Sequence, residues 1–151
     1  MKIALVASAG GHMSELLLLE EAWKGHEHFF ITTGEMVAEE LAGRYGSRVY
    51  VLGEANRRQP LRMLRALWRC AGAMLRERPD AVLSLGAACG CLAGLIGKAT
   101  GAKLAWVDSI ANVEQASLSG RIARPFADLF LVQWPGVAER CRGAEYRGEL
   151  L

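Results

Sequence analysis

The chain has 151 residues, enough for one domain with a sizeable core. Hydrophobic residues make up 52% and charged residues 23%, which excludes a disordered chain. The formal net charge is only +2, so no bulk attraction to nucleic acid follows and no nucleic-acid partner is expected. The positive charge is concentrated all the same, with seven arginines against one acid, Glu77, over residues 56–78.

Lys2–Ala7 is a short apolar run and predicts a buried first strand. Its apolar stretch, Ile3–Ala7, is shorter than the ~7–15 residues of a signal-peptide core. Ser14–Trp23 reads as a helix, His28–Thr33 as a second strand, Met36–Gly43 as a helix and Arg48–Leu52 as a third strand. Pro60–Arg76 predicts a long helix with proline in its first turn. Ala81–Leu85 is a fourth strand, Cys89–Lys98 a helix of small residues, and Lys103–Val107 a fifth strand. Ser117–Arg124 is a short helix and Asp128–Gln133 a sixth strand. Beyond Pro135 the chain reads as polar and irregular. The longest uncharged run, residues 81–97, is broken by four glycines and begins as a strand, so no spanning helix is expected. Four cysteines, at 70, 89, 91 and 141, lack the Cys-x-x-Cys spacing of a zinc or redox site and read as buried free thiols.

Strict alternation of strand and helix means a parallel, doubly wound, Rossmann-like α/β sheet of about six strands in one domain, residues 1–151. Ligands of such sheets bind at the carboxyl ends of the strands. The first of these ends is the loop Ser8-Ala9-Gly10-Gly11-His12, whose glycines admit close approach and whose following helix offers free N–H groups to an anion. His12 at its tip is the candidate base, histidine being the usual side chain for that role. The fourth-strand loop carries Gly86, and the fifth carries Asp108, Ser109 and Asn112. The sixth strand runs into Gln133-Trp134-Pro135, an aromatic–proline corner whose Trp134 belongs either to the core or to an interface. In the long helix, Arg62, Arg65, Arg69 and Arg76 fall within about 60° of one another at ~100° per residue. Leu61, Leu64, Leu67, Trp68, Ala71 and Leu75 occupy the adjoining face. This helix is either an amphipathic helix with a solvated basic face or a contact with an anionic membrane surface.

Four segments together resemble a known family. They are Ser8-Ala9-Gly10-Gly11-His12, Pro79-Asp80-Ala81-Val82-Leu83, Ser117-Leu118-Ser119-Gly120-Arg121, and the run from Ala127 through Val132-Gln133-Trp134-Pro135. In that order they resemble the acceptor-binding, membrane-associated subunits of two-component sugar transferases. This group includes the anchoring subunit of the dolichyl-pyrophosphate GlcNAc transferase and the PssD-type subunits of exopolysaccharide synthesis. More distantly the chain is similar to the N-terminal half of the peptidoglycan transferase MurG. It departs from the eukaryotic subunits in opening with a strand at Lys2 where they carry a membrane helix. It also has Asp108-Ser109 where a Glu-Ser is frequent, and Asn112 where an arginine is common.

The resemblance implies the N-terminal half of a GT-B glycosyltransferase, with UDP-sugar bound by a separate donor subunit. It implies an inverting, metal-independent transfer to a lipid-linked pyrophosphate saccharide, with no cofactor. His12 would be the base or position the acceptor. Ser8, Gly10, Gly11, Gly86, Asp108, Ser109 and Asn112 would bind that acceptor, and Gln133 and Trp134 would meet the donor subunit. Arg62, Arg65, Trp68, Arg69 and Arg76 would touch an anionic membrane, placing the protein in the cytoplasm, peripheral on the inner face of the plasma membrane. Two other readings remain open at this point: a flavodoxin-like nucleotide-binding regulatory module without catalysis, and a scaffold that only recruits a transferase to the membrane.

Overall fold

The computed structural model describes residues 1–54 and 58–150. Its elements in chain order are β1 (Lys2–Val6), α1 (Gly11–Leu18), α2 (Glu20–Trp23), β2 (Glu27–Thr32), α3 (Glu35–Tyr45), β3 (Val49–Val51), α4 (Pro60–Glu77) and β4 (Ala81–Ser84). There follow α5 (Ala87–Ala99), β5 (Lys103–Val107), α6 (Leu118–Ala123), a 3-10 turn (Arg124–Phe126), β6 (Leu129–Val132), α7 (Pro135–Arg140) and β7 (Glu145–Tyr146). All seven strands are parallel, in the order β3-β2-β1-β4-β5-β6-β7. The chain winds outward from β1 to β3, then returns to β4 on the other side of β1. The topological switch point therefore lies between β1 and β4, where such sheets open a crevice for ligands.

The sheet is covered on both faces, which is why its central strands read as unbroken apolar runs. On one face Ala4, Val6, Phe29, Ile31, Val82 and Leu104 pack against Cys70, Met74 and Ala93 of α4 and α5. On the other, Ile3, Leu5 and Phe30 pack against Leu16, Trp23 and Leu41 of α1 to α3. The small residues of α5 set its distance from the sheet. A Cβ on Gly97 would stand 2.6 Å from Val82 Cγ2, and one on Gly94 would stand 3.0 Å from Leu104.

Three elements depart from the sequence reading. The first predicted helix starts earlier and breaks at Leu19 into α1 and α2. Pro135 opens a helix rather than ending regular structure, because proline fits the first helical position, where no N–H is needed. The seventh strand, Glu145–Tyr146, is two exposed residues long and carries no hydrophobic pattern. The four cysteines are free and buried. Burial pushes the Cys70 thiol up to about 12 and that of Cys89 to about 11, so neither is a ready thiolate.

Candidate functional site at the switch point

The loops after β1 and β4 meet at the switch point. Gly10 has φ 98° and ψ −140°, and Gly86 has φ 74° and ψ −162°. Both lie in backbone regions that are nearly closed to residues with a side chain. The turn at Gly10 starts α1 at Gly11, and the Ser14 N–H donates to the Gly10 carbonyl at 3.1 Å. One residue into that helix, the half-buried His12 shares a hydrogen bond through Nδ1 with Ser8 Oγ at 2.9 Å. Its ring lies over Gly86: a Cβ there would stand 3.2 Å from both Cδ2 and Nε2. The loop of Ser8, Gly10, Gly11 and His12 and the loop of Gly86, two separate segments of the sequence, thus form one cluster. When Ser8 accepts from a protonated Nδ1, Nε2 carries the free lone pair that a base requires.

The cluster borders a groove of about 1180 Å³. One end is polar: Ser8, Ala9 and Thr33, with the first turn of α5 (Ala87–Cys89), whose N–H groups have no partner within the helix. The rest is largely apolar, walled by Met63 and Leu67 of α4, Leu92 and Leu95 of α5, and Leu118 and Ile122 of α6, with Glu54, Gln59, Arg62 and Ser119 among them.

The other candidate residues on this edge turn inward. Asp108 is 1% exposed, and its carboxylate accepts from Trp106 Nε1 at 3.1 Å, Ser117 N at 2.7 Å and Ser117 Oγ at 2.6 Å. Ser117 in turn caps α6, accepting from the Gly120 N–H at 2.9 Å. A Cβ on Gly120 would stand 2.8 Å from Asp108 Oδ1. The Ser-Leu-Ser-Gly signature is therefore the fastening of α6 to β5. Ser109 donates to Glu15 Oε1 at 2.8 Å, and Gln133 Nε2 donates to Glu15 Oε2 at 2.7 Å and to the Asp108 carbonyl at 3.1 Å. Glu15, a buried acid of α1 held by neutral donors, was not singled out in the sequence. The signal was faint: one carboxylate among leucines. Gln133 is 2% exposed, and its Oε1 accepts from Leu150 N, so it presents no free group to a partner chain. Trp134 is half-buried and donates through Nε1 to the Ile110 carbonyl at 2.7 Å. Asn112 lies half-buried in the same loop, its N–H bonded to the Ser109 carbonyl at 3.0 Å.

Comparison with known proteins gives the family and the fold. The family model for oligosaccharide biosynthesis protein Alg14-like proteins matches residues 3–150. The chain belongs to the Alg14 family. The UDP-N-acetylglucosamine transferase subunits ALG14 of Mus musculus and Homo sapiens are 29% and 28% identical to it, each match covering the whole chain and 83% of the relative. The Schizosaccharomyces pombe subunit is 48% identical over 60 residues, 38% of this chain and 29% of that protein. Among solved structures, MurG of Acinetobacter baumannii superimposes with a TM-score of 0.76 at 15% identity, over 96% of this chain and 45% of MurG. UDP-N-acetylglucosamine 2-epimerase of Rickettsia bellii gives 0.67 at 16%, over 99% and 45%. The chain thus spans less than half of these two solved structures, and its fold is that of a GT-B N-terminal Rossmann-like domain.

The arginine helix of this Alg14-family chain departs from an ordinary amphipathic helix. It buries a narrow face of Ala66, Cys70, Ala73, Met74 and Glu77. Its leucines point outward: Leu61 is 81%, Leu64 50%, Trp68 70% and Leu75 58% exposed. Arg62, Arg65, Arg69 and Arg76 border that apolar ridge. Arg69 also reaches the Val51 carbonyl at 3.3 Å. Among the described residues no helix is long and apolar enough to cross a membrane. Part of the predicted basic segment, residues 55–57, lies outside the described residues.

Proposed function

We propose that this chain is the acceptor-binding subunit of a UDP-sugar-dependent glycosyltransferase that extends a lipid-linked pyrophosphate saccharide. A separate chain supplies the donor site. One observation carries the reading: His12, oriented by Ser8 and seated on Gly86, stands at the switch point beside the polar end of a largely apolar groove. That pairing suits an amphiphile whose anionic head lies against glycine-loop and helix N–H groups while its chain follows the apolar wall. The names of the mouse and human relatives, subunits of a UDP-N-acetylglucosamine transferase, support the reaction class and the division between chains.

In the reaction, an acceptor hydroxyl attacks the anomeric carbon of the UDP-sugar. Its proton passes to His12 Nε2 as the new C–O bond forms. The bond from the anomeric carbon to the β-phosphate oxygen breaks, UDP leaves, and the configuration inverts. Asp108, through Ser117, and Ser109, through Glu15, hold the neighbouring loop at the edge of the acceptor site, leaving Asn112 nearest in sequence to the sugar. Trp134 and the Ile110 backbone it holds give the donor subunit a rigid corner.

The test is reconstitution. The chain alone is expected to transfer no sugar from UDP-GlcNAc to a short-prenyl pyrophosphate saccharide and to bind UDP negligibly. Adding the donor subunit is expected to give both turnover and complex formation. Tight nucleotide binding by the chain alone, without transfer in the mixture, would favour the nucleotide-binding module instead.

A further inference from the structure

Leu118 and Ile122 of α6 line the apolar groove, but Arg121 of the same helix lines a second cavity of about 500 Å³. This cavity lies between α6, α7 and the loop that follows β5. Arg121, Arg124 and Arg140 line it, together with one acid, Glu114. The contacts of these arginines are informative. Arg140 Nη1 donates to the Glu114 backbone carbonyl at 3.2 Å, not to its carboxylate. Arg124 Nη1 donates to the Arg142 carbonyl at 3.4 Å and to Cys141 Sγ at 3.5 Å. Neutral acceptors thus fix two guanidinium groups in place without cancelling their charge. Among the described residues no salt bridge includes any of the three arginines.

Each guanidinium has five N–H donors in a planar fork, so donors remain after these contacts. Three such groups against one carboxylate leave the cavity two charges positive, the charge of a phosphomonoester dianion. Gathered cations repel one another, and a bound oxyanion turns that repulsion into paired, charge-assisted hydrogen bonds. The volume is within the ordinary range for a small-ligand pocket.

We propose that the cavity lined by Arg121, Arg124 and Arg140 is a phosphate-binding site, separate from the glycine-loop cradle at the switch point. It takes a phosphomonoester group, borne by a soluble metabolite or by a lipid head group. Glu114 and Ala116 of its wall belong to the same loop as Ser109 and Asn112, so an occupied cavity also braces that side of the acceptor site. The proposal needs neither the donor subunit nor the transfer reaction, and it stands or falls apart from them.

The experiment uses the full chain. Calorimetric titration with inorganic phosphate and glycerol 3-phosphate is paired with flotation on phosphatidylcholine vesicles with and without phosphatidic acid. Saturable binding is expected, weakened about tenfold or more in R121Q/R140Q, tightened several-fold in E114Q, and unchanged in K24Q, an exposed lysine after α2 that lines neither cavity. Arg124 is left intact because it also ties down the 141–142 backbone. Thermal melts of all three variants near that of the parent protein show that the fold is retained. Binding of the soluble phosphates with this pattern identifies a soluble ligand; the same pattern confined to phosphatidic acid vesicles identifies a head group. Unchanged binding in R121Q/R140Q, weaker binding in E114Q, loss in K24Q, or no saturable binding to either probe overturns the proposal.

Discussion

At Gly86 the fold spends a glycine to seat one imidazole ring. Its φ of 74° and ψ of −162° lie where an L-residue is strained, and an added Cβ would press on His12 Cδ2 and Nε2 at 3.2 Å. Gly86→Ala is therefore expected to lose about 1–3 kcal/mol of stability. It should also displace His12, so that transfer in the reconstituted complex falls with it; thermal melts and kcat together read the two effects. His12→Ala isolates the second effect. Removing a positioned base is expected to lower transfer ~10²–10⁴-fold while donor-subunit binding stays near the parent value. A loss of only a few-fold would make His12 structural and move the base elsewhere. Asp108 illustrates how residue type and residue role part company. An acid after a strand is equally suited to a sugar hydroxyl or to a helix terminus, and only the packing of Trp106, Ser117 and Gly120 around its carboxylate decides for the second.

Among the elements, α4 is joined to the sheet at both ends of its polarity scale. Its last residue, Glu77, is buried and meets Lys2, Arg48 and Tyr50. Burial alone would raise its carboxyl, but hydrogen bonds from Lys2, Tyr50 and Arg48 outweigh that and hold it at about 2, below the usual 4.5. A carboxyl depressed in the folded state favours folding above its unfolded value and loses that contribution as pH falls through the folded one. Melting temperature is thus expected to be flat from neutrality to about pH 5, then to drop between pH 4.5 and about 2. Glu77→Gln should flatten that drop and cost about 1–3 kcal/mol at neutral pH, since its buried donors lose a charged acceptor. A pH profile identical to that of the parent protein would mean that other carboxylates set acid stability. The six longer strands and most helices were legible because apolar runs, glycines and Pro60 mark their limits. Three features were not. Strand β7 has no pattern to read, and Pro135 reads as a stop although it suits a helix start. The outward direction of the α4 leucines depends on which face meets β3 and α5. Periodicity shows that Leu61, Leu64 and Trp68 share an arc; it does not show that the smaller face of Ala66, Cys70 and Ala73 is the buried one. The Ser8–His12–Gly86 cluster was readable residue by residue, but the contact between its two loops follows from the β1–β4 adjacency of the sheet.

Taken whole, the molecule has one surface on which greasy and basic groups alternate. The exposed α4 ridge of Leu61, Leu64 and Trp68 meets the groove at Leu64, and Leu118 and Ile122 of α6, 43% and 49% exposed, line the groove as well. Apolar side chains left in water over this width mark a contact surface rather than chance exposure. Arginines of α4 edge it, and the groove reaches Ser8, the hydrogen-bond partner of His12. We propose a bilayer as the partner that meets these conditions together: its anionic surface would attract the arginines, its acyl region would accept leucine and tryptophan, and a lipid-borne acceptor would enter the groove from it. Each basic side chain near such a surface adds about 1 kcal/mol, screened as salt rises, and shallow apolar insertion adds a part that salt does not remove. The two parts predict different behaviour. Co-sedimentation with phosphatidylglycerol vesicles is expected to weaken from low to high salt. Changing Arg62, Arg65, Arg69 and Arg76 to glutamine should abolish it at low salt with the fold intact by circular dichroism. Leu61→Ser with Trp68→Ser should keep the low-salt attraction and remove what survives at high salt, and should quench any blue shift of tryptophan emission on binding. Equal binding to neutral vesicles, or full binding by the quadruple arginine variant, would assign the membrane contact to the donor subunit and leave this surface to a protein partner.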